Sequence, residues 1–251
     1  MLRVETDDGE IGWGEAIGDL HDEVEQALTA IGERVEGSSI HDITRTIETQ
    51  RKTRFWRDGP VLETALSALE MALWDLKGKQ FGAPVHELLG GRVRERVRAY
   101  RNLWGRTPEE FADSAREAIS QSMTAVKVSP AGPTPDVASR ASLNGMVDVV
   151  RAVRDAVGPG VDLAVDLHGR LTPAASRRAV HALAPLDPFF IEEPCLPDGS
   201  ASHIADLRAL RTAQPVAIAT GERLRSTHAF AQHLLPSPVV DIIQPDVSMV
   251  G

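Results

Sequence analysis

From residue 97 onward the chain repeats one pattern: a short, strongly apolar, β-branched run followed by an amphipathic stretch. The runs are VRAY (97–100), TAVKVS (124–129), VDLAVDL (161–167), PFFIEEP (188–194), PVAIAT (215–220) and VVDIIQP (239–245). Nothing else in the chain narrows the fold as much. Strands that alternate with helices pair in parallel, because the crossover helix returns the chain to the same end of the sheet. Runs this apolar suit strands buried on both faces. Repetition of this unit leaves two architectures, a closed barrel or a doubly wound sheet. No GxGxxG or Walker loop follows any run, which counts against a nucleotide-binding version.

Helix punctuation agrees with this reading. Thr107, Pro108 and Glu110 make a capping box with proline at the first helical position. Thr172-Pro173 starts another helix in the same way, and VVRAVRDAV (149–157) ends at Gly158, a suitable C-cap. The first part of the chain follows a different rhythm. LRVET and EIGWGEA alternate around Asp7, Asp8 and Gly9 as a hairpin would. In VLETALSALEMALWDLKGK, Leu62, Leu66, Leu69, Leu73 and Leu76 mark one buried helix face, with Gly78 as the expected stop. Residues 1–95 are therefore expected to form a small α+β domain, and residues 96–251 the β/α repeats.

Acids cluster at the C-terminal ends of the last four strands. Asp166, Glu192, Glu222 and Asp246 follow one another at intervals of 26, 30 and 24 residues, about one βα unit each. In a parallel barrel such strand ends converge on one rim, the catalytic face. Crowded carboxylates repel and drift toward protonation unless a cation is present. Oxygen ligands without a cysteine or histidine cluster suit a hard ion, and open positions for water and substrate suggest Mg²⁺. The bland alternative is that each is a helix N-cap or turn acid, common at βα junctions. Four in register are harder to explain that way.

The formal net charge of −9 argues against nucleic acid or an anionic membrane as the main partner. It leaves room for a small anionic substrate, since one metal ion can reverse the local field. The N-terminus lacks an apolar signal region, no window of 18 uninterrupted apolar residues occurs, and the single cysteine, Cys195, allows no internal disulfide. These features lead us to expect a cytoplasmic protein.

The stretches VETDDGEIGWGEA, FWRDGPVLETALSALEMALWDLKGK, DLHGR, FIEEP, TGER and QPDVS together resemble the enolase superfamily, in its mandelate racemase and muconate lactonizing enzyme branch. More narrowly they resemble the D-galactonate dehydratase group of that branch. The resemblance implies an α/β fold: a (β/α)₇β TIM-type barrel, here incomplete at about six strands, under an N-terminal α+β capping domain. It implies that the capping domain lacks its first strand and that the barrel is truncated after its sixth.

The resemblance also implies roles. Asp166, Glu192 and Glu222 match the acids that bind Mg²⁺. Glu193, adjacent to Glu192, is expected to face away from the metal, because neighbours on a strand point to opposite sides. His168 matches the general acid that protonates a departing β-hydroxyl, after a proton has been removed next to the substrate carboxylate. On a strand it would share a face with Asp166 two residues earlier. Asp246 matches the aspartate of a His–Asp dyad whose histidine, the base, is expected beyond Gly251, so the chain by itself is expected to be inactive. His203, His228 and His233 fall in helical stretches, and most are expected to face solvent.

Lys127 is a candidate for the substrate carboxylate, with a solvated lysine as the alternative. Arg170 either pairs with an acid or caps its loop. Trp56 and Arg57 lie where loops of the capping domain close over substrate in this family. Cys195 has no base motif beside it and reads as a bystander.

The expected activity is Mg²⁺-dependent dehydration of an acid sugar (an aldonate) to a 2-keto-3-deoxy acid, with galactonate as the first substrate and gluconate or another sugar acid as the second. Racemases and cycloisomerases of the branch would place a lysine pair on the second barrel strand, where VKVSP offers one lysine. A non-catalytic metal-binding remnant is the reading from a different class. The expected partners are a small acid sugar and, at full length, further copies of the chain, with no nucleic acid and no membrane.

Overall fold

The N-terminal hairpin forms between β1 (Leu2–Glu5) and β2 (Ile11–Gly14), with Leu2 opposite Gly14 and Glu5 opposite Ile11. Gly9, at φ 86°, takes the left-handed position of the turn. Alternation along β1 turns Leu2 and Val4 toward the hydrophobic cluster and leaves Arg3 and Glu5 exposed. Helices α1 (His21–Val35), α2 (Ile43–Lys52), α3 (Pro60–Phe81) and α4 (Val85–Leu88) follow. On α3, Leu66, Leu69, Leu73 and Leu76 are buried against Val24 and Ile31 of α1 and Ile43 and Ile47 of α2. Strand β2 lies directly on α3. A Cβ at Gly12 or Gly14 would collide with the carbonyl oxygens of Ala72 or Ala68, which explains why small residues meet there.

Gly78 does not end α3. The helix runs one turn further and stops at Gly82, whose φ of 62° is the left-handed C-cap. Gly78 is small for a different reason, since a Cβ there would sit 2.8 Å from the Ala83 carbonyl oxygen.

The computed structural model describes residues 1–132, 137–197, 200–213 and 215–251. They divide into two units: Met1–Arg96 with Glu222–Ser226 and Pro245–Gly251, and Val97–Gly221 with Thr227–Gln244. The second unit carries a six-stranded sheet: β3 (Arg101–Asn102), β4 (Ala125–Val128), β5 (Asp162–Asp166), β6 (Phe190–Glu192), β7 (Ile218–Thr220) and β8 (Ile242–Ile243). Every neighbouring pair is parallel, and the order in space is the order in sequence. A doubly wound sheet reverses its order at a switch point, whereas this one never does, so the winding is that of a barrel.

Helices α5 (Pro108–Ser120), α6 (Arg140–Val157), α7 (Pro173–Leu183), α8 (Ala201–Ala213) and α9 (Thr227–Leu234) connect successive strands. The Thr107 hydroxyl accepts from the Glu110 amide at 3.3 Å and the Thr172 hydroxyl from the Ala175 amide at 3.4 Å, while Gly158 caps α6 at φ 71°. The reciprocal arm of the capping box reaches one residue further back than expected, as the Glu110 carboxylate accepts from the Arg106 amide at 2.7 Å. The first barrel strand also departs from expectation. VRAY is not a strand; the ladder with β4 begins at Arg101, opposite Val126. Apolar character does not make a strand without a hydrogen-bonding partner, and Tyr100 instead packs its ring on Phe190, with centroids 6.3 Å apart.

Alternation along the strands sorts the sheet into two faces. Val126, Val128, Leu163, Val165, Ile191 and Ile218 belong to the large core shared with the helices. Ala164, Phe190 and Ala219 form a separate small cluster. Lys127, Asp166 and Glu192 fall in the alternating positions that share this second face.

His203 and His233 do not face solvent. Both are buried, with ring centroids 5.7 Å apart, and His233 Nδ1 lies 2.8 Å from the Ala229 carbonyl oxygen. Helical spacing carried them onto the inner faces of α8 and α9; His228 alone of the three is exposed. The final helix, α10 (Val247–Val250), belongs to the first unit, where the Thr64 hydroxyl donates to the Ser248 carbonyl oxygen at 2.7 Å and the Ser67 hydroxyl to that of Val247. None of the described helices is long and apolar enough to cross a membrane.

Candidate metal centre and active site

Asp166 and Glu192 are the last residues of β5 and β6 and are direct partners in the parallel register. Their side chains therefore leave the sheet at the same level, and both are at most 2% exposed. Glu222 comes two residues after the end of β7 and is half-buried. One carboxylate oxygen from each of Asp166, Glu192 and Glu222 lies within 4.8 Å of the others.

Lys127 on β4 reaches this group. Its Nζ is 2.8 Å from Glu192 Oε2 and 3.1 Å from Asp166 Oδ2, with the Tyr100 ring 5.4 Å away. Burial alone would favour the neutral amine. The hydrogen bond to Glu192 and the charges of Asp166 and Glu192 outweigh it, holding the ammonium well above the ordinary lysine range. Asp166 shows the reverse balance. Burial pushes its carboxyl up, but the His168 hydrogen bond and the Lys127 charge overcome this and hold it below the usual carboxylate range.

His168 joins the group by a route that strand alternation does not describe. β5 stops at Asp166, and His168 sits in the following turn at φ 51°. Its backbone amide donates to Asp166 Oδ1 at 2.8 Å, and its Nε2 lies 3.0 Å from Asp166 Oδ2. A local turn around the carboxylate brings the two side chains together. Alternation likewise ends before Glu193, which follows the last residue of β6, has φ 39° and is buried; it is not among the three carboxylates gathered here.

The donor set fits a hard divalent cation. Three carboxylates offset by one ammonium leave two negative charges in a largely buried site, and all the ligand atoms are oxygens. Asp166, Glu192 and Glu222 would hold the ion.

The remaining candidates are placed as follows. Asp246 caps α10: its Oδ1 accepts from the Ser248 amide at 2.8 Å and the Ser248 hydroxyl at 2.7 Å. Arg170 donates to the Ala131 carbonyl oxygen, as a loop-capping residue would. Trp56 and Arg57 are exposed in the first unit, and Arg57 Nε donates to the Arg54 carbonyl oxygen at 3.2 Å. Cys195 does have a histidine beside it: His203 Nδ1 is 3.7 Å from its buried Sγ. That histidine stands on α8, 8 residues further along the chain. Tyr100 went unnoticed in the sequence. Its single signal was an aromatic ring ending an apolar run.

The residues on each side of the domain division match known families. Residues 110–251 match the family model described as enolase C-terminal domain-like, and residues 1–90 match the mandelate racemase / muconate lactonizing enzyme N-terminal domain. Among curated proteins, the chain is 37% identical over 256 residues to a D-gluconate dehydratase of Thermoproteus tenax, covering 100% of this chain and 50% of that protein. It is 34% identical over 252 residues to a D-galactonate dehydratase of Variovorax paradoxus, covering 100% of this chain and 65% of the relative. The chain thus spans half to two thirds of the length of these relatives.

Among solved structures, it superposes on a mandelate racemase/muconate lactonizing enzyme from Sulfitobacter sp. with a TM-score of 0.88 at 32% identity, covering 99% of this chain and 66% of that one. A member of the enolase superfamily from Salmonella Typhimurium gives a TM-score of 0.88 at 26% identity, covering 99% and 70%. Strand-end acids, a barrel winding and matches at both ends of the chain agree, and the chain belongs to the mandelate racemase/muconate lactonizing enzyme group of the enolase superfamily.

Proposed function

We propose that this chain carries the metal-binding and general-acid residues of an Mg²⁺-dependent acid-sugar dehydratase, with galactonate or gluconate as substrate. The observation that carries the reading is the group at the strand ends: three carboxylates, one ammonium and one histidine, all on the C-terminal side of a parallel barrel sheet. Relatives that bear the names D-galactonate and D-gluconate dehydratase support the substrate class.

When bound, Mg²⁺ would stabilise the negative charge that develops on the substrate carboxylate as the neighbouring proton leaves. Lys127, 2.8 Å from Glu192 and 3.1 Å from Asp166, contributes positive charge beside the acids. His168, one third exposed at its side chain, is held by Asp166 through both its backbone amide and its Nε2, which fixes the imidazole at the edge of the group. From there it donates a proton to the departing β-hydroxyl, a leaving group that needs one. Cytoplasmic location and self-association of the intact protein are part of the same reading.

The test is a screen of acid sugars for 2-keto-3-deoxy acid formation by the full-length protein, with and without Mg²⁺. Turnover of an aldonate that stops on metal removal and in His168→Asn is expected. Turnover that survives both changes would overturn the reading.

A further inference from the structure

A second charged site lies wholly in the first unit, where α1 and α2 end. Arg34, Gln50, Thr53, Arg54, Phe55 and Trp56 line a cleft of about 610 Å³. Two arginines face it, and among the described residues no carboxylate pairs with the side chain of either. The Arg54 atoms Nε and Nη2 are buried and have no hydrogen-bond partner. Those two N–H groups form one edge of the guanidinium, the edge that engages two oxygens of a carboxylate or phosphate side by side.

Gln50, one helical turn earlier on α2, is buried with its Oε1 also unpartnered. Gln50 lines the same cleft, and its amide oxygen and nitrogen can exchange places by rotation. The surroundings make a bare pair of cations costly. Burial and then the neighbouring Arg34 charge hold the Arg54 guanidinium below the usual arginine range. The two arginines of α2 are paired with carboxylates, Arg51 with Glu48 and Glu63 and Arg45 with Asp42. Phe55 and Trp56, packed edge to face at 5.1 Å, wall one side of the cleft with apolar surface, which strengthens any ion pair formed beside it.

We propose that this cleft is an oxyanion site that takes the carboxylate or phosphate group of a small molecule on the Nε–Nη2 edge of Arg54, with Arg34 as the second cation and Gln50 as a neutral donor. Such a ligand supplies the negative charge and the acceptor oxygens that no described side chain brings to Arg34 and Arg54. The inference does not depend on the dehydratase reading.

Isothermal titration of the chain, at fixed ionic strength, with inorganic phosphate and separately with D-gluconate tests it, with sodium chloride as the control. Saturable one-site binding of at least one of the two oxyanions is expected, weakened at least tenfold in Arg54→Gln and in Arg34→Gln and unchanged in Lys52→Gln, which removes an equal charge two residues before Arg54. Whichever oxyanion binds more tightly identifies the source as phosphate-bearing or carboxylate-bearing. Arg34 is exposed, so Arg34→Gln decides the matter should Arg54→Gln fail to fold. Absence of saturable heat with both oxyanions, or equal weakening in Lys52→Gln, overturns the proposal.

Discussion

Asp166 and Asp246 begin from the same local chemistry. Asp166 ends a short parallel strand and Asp246 comes just after one, and each accepts the backbone amide of the residue two positions on, His168 in one case and Ser248 in the other, both at 2.8 Å. Their surroundings then diverge. Asp166 is 1% exposed, shares Lys127 with Glu192 and lies among three carboxylates. Asp246 is half-buried, takes a second hydrogen bond from the Ser248 hydroxyl and caps a helix of 4 residues. The difference teaches that a strand-end aspartate and its turn form a generic unit. The side chains delivered by neighbouring strands turn it into a candidate metal ligand or leave it a cap.

The contrast can be broken most forcefully at Lys127. Lys127→Met leaves buried carboxylates without their cation, and removing one partner of a buried pair costs about 3–5 kcal/mol. Urea denaturation in EDTA should show that loss, and added Mg²⁺ should restore much of it. An unchanged midpoint in EDTA would mean that the ammonium does not hold the group together.

Asp166→Asn comes next. Changing groups that merely orient a metal's ligands typically costs about 10–100-fold in affinity, and a ligand itself should cost at least the upper figure. Titration with Mg²⁺ or Mn²⁺ reads the effect, and Asp246→Asn serves as the matched substitution with no expected change. Equal losses in both variants would erase the distinction between the two aspartates.

A smaller effect is expected at the other end of the comparison. Asp246→Ala removes an N-cap, worth about 1 kcal/mol, and should lower the denaturation midpoint while leaving metal affinity intact. Ser248→Ala should cost less, about 0.5–1 kcal/mol for one partly exposed hydrogen bond. A Ser248→Ala loss larger than that of Asp246→Ala would reverse the assigned order of importance at this cap.

Much of the framework was legible because it is local. Thr107, Thr172 and Gly158 act within one helical turn of themselves, and the hairpin turn at Gly9 spans only a few residues. Where a local signal had two explanations, it misled. Gly78 looked like a helix stop and is instead a close-packing glycine, while Gly82, four residues on, takes the left-handed turn. VRAY looked like a strand and lacks a ladder partner. His203 and His233 looked exposed because polar residues on short helices usually are, and Cys195 looked isolated because its histidine lies 8 residues away in sequence.

The sequence by itself determined the alternation of strands and helices and the identity of the acids that end β5 and β6, since both follow from hydrophobic period and spacing along the chain. It could not determine which acids meet. That choice depends on the parallel register that sets Asp166 beside Glu192, on the placement of Glu222 two residues past the end of β7, and on a left-handed turn that folds His168 back onto Asp166. Only the tertiary structure decided it, because electrostatic interactions among these groups act over a few ångströms of space between residues 26 and 30 positions apart in the chain.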